Sequence, residues 1–229
     1  MTERLRLLID ERERALAGFL EREGERLSLA CHALARALAQ GGSLLAYGED
    51  AAETDAAHVA VEFVHPVIVG KRALPALAPP NDVLALARPG DVALGIAHGG
   101  PEPIERFLAE CSRRGLLTLA LTGRGEAAAD FAFAVGHDDE RIVQEVQETA
   151  YHVLWELVHV FFEHPGLLAD ACITCGDVAV EARVVSVDRH TATIEKDGAR
   201  EQVAVELVAP VAVGDVLLCH AGVALERVS

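Results

Sequence analysis

Aromatic residues are scarce in this chain: seven Phe, two Tyr and one Trp, with a single Met. A core short of rings must be filled by aliphatic side chains, and 51% of the residues are apolar, which suits an Ala/Leu/Val interior in a globular protein. Basic charge is scarce too. Twenty Lys and Arg stand against 36 Asp and Glu, a formal charge of −16, and this argues against nucleic acid as a partner because phosphate binding wants basic patches. The deficit is general, since residues 1–169 carry 26 acids against 15 bases and residues 170–229 carry 10 against 5. Long clean apolar runs are also missing. Ala150–Phe162 is broken by Glu156, and no stretch suits a bilayer span. The opening Met1-Thr-Glu-Arg-Leu-Arg is charged rather than a signal peptide. A cytoplasmic location is therefore expected. The five cysteines, an odd number, are expected to be reduced thiols or metal ligands, not a disulfide framework.

What is present falls into two periodicities, with the change near residue 167. Leu5, Leu8, Leu16, Phe19, Leu27, Ala30, Leu34 and Leu38 recur at helical spacing over residues 3–39. Gly24 is expected to divide this run into two helices, and Gly41-Gly42 to end the second. Strands are then expected at Ser43–Tyr47, Val67–Gly70, Asp91–Ala97, Leu116–Thr122 and Phe131–Val135. Helices are expected at Thr54–Phe63, Glu102–Arg113 and Asp138–Phe162. Short apolar strands alternating with helices mean βαβ units and a doubly wound parallel sheet, in an α/β domain over residues 1–166. In such sheets ligands collect at the carboxyl ends of the strands, here Gly48–Ala52, Ala97–Pro101 and Thr122–Gly125.

Two rows of polar side chains stand out. His58 and Glu62 are four apart and share a helix face; Gln144, Glu148 and His152 form a similar row on the last helix. His-x3-Glu alone is a weak signal. The residues leave two readings open, a hydrogen-bonded interior histidine with solvated neighbours, or a site for a cation or a proton.

The run Gly48-Glu-Asp-Ala-Ala-Glu-Thr-Asp55-Ala-Ala-His58-Val-Ala-Val-Glu62, with Leu121-Thr122-Gly123, Gln144-Glu145 and His152, resembles the SIS (sugar isomerase) domains, in particular the phosphoheptose isomerases, over about residues 1–163. The resemblance implies a five-stranded parallel sheet, a homo-oligomer (dimer or tetramer), and zinc or another divalent metal held by His58, Glu62, Gln144 and His152. Gly48, Asp55, Thr122 and Gly123 would line the ligand pocket, and Glu62 and His152 would be the proton-moving pair of an isomerase. Eight residues of one helix rise about 12 Å, so Gln144 and His152 reach one ion together only if a neighbouring subunit contributes or one of them stands behind the ligands. The departures are specific. Where the family has a glycine-rich loop ending in serine, this chain has Gly48-Glu49-Asp50-Ala51-Ala52. Its second loop, Gly95–Glu102, holds no serine or threonine. A phosphate cradle works through backbone N–H groups, hydroxyl donors and a positive local field. Poor handling of a sugar phosphate is expected.

From Val178 onward the pattern has a strand period: Val178–Asp188, Thr191–Lys196, Arg200–Val208 and Val216–Val228, with Asp197-Gly198 as a hairpin turn. Residues 170–229 therefore read as a small all-β, OB-like barrel. Its chemistry lies in Cys172, Cys175, Cys219 and His220, readable as buried cysteine plus half of a zinc site. Val213-Gly214-Asp215-Val-Leu-Leu-Cys219-His220-Ala221-Gly222, with Cys172 upstream, resembles the HypC/HupF hydrogenase-assembly chaperones over residues 172–229. That resemblance implies that Cys172 and His220 hold the iron dicyano-carbonyl unit of nickel–iron hydrogenases. The partners it implies are the hydrogenase large-subunit precursor and other maturation proteins. A thiolate suits low-spin iron of this kind, and imidazole completes a grip loose enough for hand-over. Cys175 and Cys219 stand as possible extra thiol ligands. The expected function is a maturation factor with a carrier barrel on a degenerate SIS domain. The alternatives are a metal-dependent sugar phosphate isomerase and a zinc-stabilised sensor or adaptor.

Overall fold

A computed structural model describes residues 3–79, 83–164, 168, 179–220 and 222–228. The chain opens with α1 (Glu3–Ala39), continues through β1 (Leu44–Gly48), α2 (Ala52–Val64), β2 (Ala76–Leu77), the one-turn α3 (Val83–Leu86), β3 (Val92–Ala97) and α4 (Glu102–Arg113), and reaches β4 (Leu117–Thr122), β5 (Phe131–Ala134) and α5 (Glu140–Glu163). The five strands form one parallel sheet in the order β2-β1-β3-β4-β5. Central β3 is buried along its whole length, as a strand covered on both faces must be. On one face, α1, α2 and α5 bury Phe19, Phe63, Tyr151 and Phe161 against Leu44, Leu94 and Leu121. On the other, α4 lays Ile104, Phe107, Leu108 and Cys111 against Leu45, Ala93 and Ala120. Pro103 in the first turn of α4 and Asp139 ahead of α5, whose carboxylate accepts from the Arg141 amide, mark these helix starts.

Three expectations need correction. α1 runs unbroken through Gly24, because helix-forming Arg, Glu, Leu and Ala on both sides and packing against α5 outweigh a glycine cost of about 1 kcal/mol. Arg12 binds Glu145 at 2.7 Å, and Arg22 donates to the Val135 carbonyl at 2.9 Å, fixing the rod to the sheet edge and α5. Residues 67–70 form no strand. Val69 is fully exposed there, and the edge strand is β2 inside the proline-rich connection, pairing Ala76 with Leu44. The final strand is two. Gly222, at φ +76°, turns the chain between β9 (Val216–His220) and β10 (Val223–Arg227).

β6 (Val180–Asp188), β7 (Thr191–Lys196), β8 (Ala199–Ala204), β9 and β10 close into a barrel in the order β10-β8-β7-β6-β9. Asp197 and Gly198 both adopt positive φ, 53° and 82°, the backbone of a two-residue hairpin turn. Alternation sends Val184, Ile194, Val203, Leu217 and Cys219 inward. The barrel is seated on the α/β body, with Ala204 and Val223 buried in the same apolar cluster as the α1 and α5 side chains. Among the described residues no helix is long and apolar enough to cross a membrane.

Candidate functional site

The polar side chains of the body gather on α2, on the facing side of α5 and in the loop after β3. His58 and Glu62 lie one turn apart on α2, with Nε2 and Oε1 3.4 Å apart. His152 of α5 faces them, its ring centroid 5.2 Å from that of His58. The three residues offer ligand atoms that all lie within 4.8 Å of one another. Tyr151 supports this cluster. Its hydroxyl is 2.9 Å from His58 Nδ1, and burial, with Glu148, Asp55 and Glu62 nearby, pushes its pKa far above the usual phenol value, so the group stays a neutral hydroxyl. Were an ion held here, Nδ1–H would donate to that oxygen and Nε2 would be left for the metal, the arrangement that orients metal-bound histidines. Trp155 fixes the same turn of α2 by donating from Nε1 to the Glu62 carbonyl at 2.8 Å.

Gln144 does not point its amide at this cluster. It donates to Asp55 Oδ1 at 3.0 Å, and Asp55 Oδ2 lies 2.6 Å from His98 Nε2. The Asp55 side chain is 4% exposed and that of His98 9%, so the pair is sealed beneath the loop that follows β3. Thr122 is fully buried, and its hydroxyl donates to the Gly125 carbonyl at 2.6 Å. Gly123 donates to the Gly99 carbonyl at 2.8 Å; any Cβ on it would collide with the His98 carbonyl. The Leu121-Thr122-Gly123 signature thus shapes the loop from below. Gly48 lines a neighbouring cavity of about 310 Å3 with Glu49, Asp50 and Glu53.

In the barrel, neighbouring Cys219 and His220 face opposite ways. Cys219 is fully buried among the barrel's apolar residues, where burial and then Glu201 push its thiol up to about 12, so it is protonated and packs as a small apolar group. His220 is 1% exposed and turns to the body. Its Nδ1 lies 3.0 Å from Glu25 Oε1 of α1. Cys172 and Cys175 lie outside the described residues.

Sequence reasoning missed Tyr151, His98 and Glu25 as members of these arrangements. Tyr151 adjoins His152 and His98 ends a ligand-facing strand, so both carried a signal. Glu25 is one of many helix-surface acids and carried none.

A five-stranded parallel sheet with a His-Glu-His cluster near its ligand-facing edge defines a sugar isomerase-type α/β domain, here followed by a closed barrel. The chain belongs to the phosphoheptose isomerase family. It is 35% identical over 162 residues to a phosphoheptose isomerase of Desulfovibrio desulfuricans, covering 59% of this chain and 77% of that one. It is 34% identical over 180 residues to one from Solidesulfovibrio magneticus, covering 68% and 88%. The fold is that of the phosphoheptose isomerase from Francisella tularensis (TM-score 0.60, 19% identity, 70% of this chain and 100% of that one). The Neisseria gonorrhoeae enzyme gives a TM-score of 0.59 at 23% identity, covering 69% and 98%. Residues 178–229 match the HupF/HypC family, so the chain joins two known domain types.

Proposed function

We propose that this protein is a maturation factor for nickel–iron hydrogenase, whose barrel carries and hands over an iron dicyano-carbonyl unit while the sugar isomerase-like body serves as its platform. The observation that carries this reading is the match of residues 178–229 to the HupF/HypC family, with His220 at the end of β9 inside the Gly214-Asp215…His220 segment. The iron unit is cargo, gripped by Cys172 and His220 and delivered to the large-subunit precursor in the cytoplasm. Because His220 is buried against α1, loading requires the barrel to lift from the body. Cys219, deep in the barrel with its thiol pushed up to about 12, is no ligand in this reading and weakens the zinc-sensor alternative.

The test is purification after co-production with hydrogenase maturation proteins. Bound iron and infrared bands of cyanide and carbonyl are expected, both lost in Cys172→Ala and His220→Ala. Full iron retention in Cys172→Ala would reject the assigned grip.

A second reading is favoured by the His58, Glu62 and His152 cluster. The donor set, two imidazoles and a carboxylate, with Tyr151 holding His58, fits a divalent ion such as zinc. A bound ion would polarise a substrate carbonyl as a Lewis acid. Glu62 and His152 would then move protons in an aldose–ketose isomerisation, with the body as the oligomeric core. Turnover of a heptose phosphate by the purified protein, abolished in Glu62→Gln, would establish it.

A further inference from the structure

The ring of His159 is 1% exposed and stands between two backbone carbonyls. Its Nδ1 lies 2.8 Å from the Trp155 carbonyl, one turn back on α5. Its Nε2 lies 2.9 Å from the Arg72 carbonyl, in the connection between α2 and β2. A carbonyl oxygen only accepts, so each contact is a hydrogen bond only where the nitrogen bears a hydrogen. A neutral imidazole has one N–H and one lone pair; the imidazolium alone donates from both sides. With a neutral ring, one of these contacts would set a lone pair against a carbonyl oxygen and leave a buried acceptor without its donor. Trp155 is a second, independent sign of charge. Its ring centroid lies 4.4 Å from that of His159, within the range at which an indole attracts a cation.

The surrounding charges are engaged elsewhere. Lys71 pairs with Glu163 at 2.7 Å, the Arg72 guanidinium lies over the Phe162 ring, and Glu62 of α2 faces His58. His32 of α1 packs against Phe161, and Glu156 on α5 is exposed. Among the described residues no carboxylate pairs with His159. Burial therefore opposes the charge, while two carbonyls and an indole favour it. The two contacts differ in reach. That to Trp155 stays within α5, whereas that to Arg72 joins two elements, so a neutral ring can keep the first and let the second go. Beside Arg72, the Leu74 amide donates to the Phe63 carbonyl at 2.8 Å and the Lys71 amide to the Ile68 carbonyl at 3.2 Å.

We propose that His159 is a proton-operated clasp. Charged, it fastens the connection after α2 to α5; on losing one proton it frees the Arg72 carbonyl. The fastening is complete while the ring is charged and is lost as pH rises through its titration. This device does not depend on what the barrel carries.

The test uses the full-length protein with 15N-labelled histidine, studied from about pH 5.5 to about pH 9, a range that brackets the unperturbed imidazole value of about 6.5. The His159 signals are those missing from His159→Gln. At the acid end both ring nitrogens are expected to carry hydrogen. As pH rises, Nε2 is expected to lose its hydrogen while Nδ1 keeps its own. Amide exchange at Lys71 and Leu74 should then speed about tenfold beyond the ordinary pH dependence read from β3. Emission of Trp155, the chain's one tryptophan, should rise as the neighbouring cation disappears. His159→Gln should show neither the exchange step nor the emission step. Glu163→Gln, which removes the adjacent ion pair at a half-exposed side chain, should keep both. A bare ring nitrogen throughout, or two protons retained throughout, overturns the proposal. So does deprotonation that leaves exchange at Lys71 and Leu74 unchanged, or a step that Glu163→Gln abolishes. If His159→Gln fails to fold, exchange and emission of the unaltered protein and of Glu163→Gln still decide.

Discussion

The body and the barrel are both small apolar interiors, but they protect their chemistry in opposite ways. The body has a core on each face of its sheet and sets its His58, Glu62 and His152 cluster between α2 and α5. Among the described residues the barrel has one thin core of nine buried side chains without a single aromatic ring. Its distinctive imidazole is not in a pocket of its own but is covered by the neighbouring body. A domain of that size gains from docking, and here docking covers the side of the barrel that carries His220.

The sharpest way to break this comparison is to damage each core separately. Phe161→Ala, at a fully buried position beside His32, is expected to cost about 3–5 kcal/mol, and Ile194→Ala in the barrel about 2–5. Trp155 is the chain's only tryptophan and lies in α5, so fluorescence reports the body while circular dichroism reports both. In urea, Phe161→Ala should lower both transitions, because the barrel rests on that core, whereas Ile194→Ala should lower the barrel's alone. Equal displacement of both by either change would show one cooperative unit.

Next in size is Tyr151→Phe. Removing the hydroxyl that orients His58 should weaken binding of zinc or cobalt about ten- to hundredfold with the fold intact. Unchanged affinity would separate Tyr151 from the cluster.

Reading the sequence alone recovered the layer order, both domain types and most element positions, because apolar period and turn residues are local signals. It placed a helix break at Gly24 where packing of α1 on α5 decides otherwise. It placed a strand at residues 67–70, where Val67, Ile68 and Val69 are apolar but find no neighbour to pair with. In the site, the His58–Glu62 spacing was legible from one helix, and His152 joined them through the resemblance. The turn of Gln144 towards Asp55, and of Asp55 towards His98, depends on three separate elements meeting, which spacing cannot report. The same holds for Glu25 and His220.

A pH series compares the two interiors through their thiols. Burial raises Cys111 of the body to about 11 and Cys219 of the barrel to about 12. Unfolded thiols ionise near pH 8.5, so this contribution to stability is complete below that value and declines as pH rises towards the folded values. Urea midpoints should therefore fall for both regions between about pH 9 and pH 11, a trend reduced in a Cys111→Ala/Cys219→Ala double variant but kept in part by the body, where fully buried Cys31 is raised further still. The smallest expected effect is that of Glu25→Gln. Glu25 is 50% exposed, and loss of its contact should cost about 1 kcal/mol or less. It should nevertheless speed hydrogen exchange along β9 several-fold, while exchange in β3 stays unchanged.

The contact between Glu25 and His220 has a numerical consequence for any measurement of cargo affinity. A seated barrel hides the imidazole, so in the proposed carrier role only the fraction of molecules with the barrel raised would capture metal. The apparent dissociation constant of the intact chain is then the intrinsic constant divided by that fraction. Whatever prises the barrel away, such as a client protein with a better hold on it, tightens capture without touching a ligand.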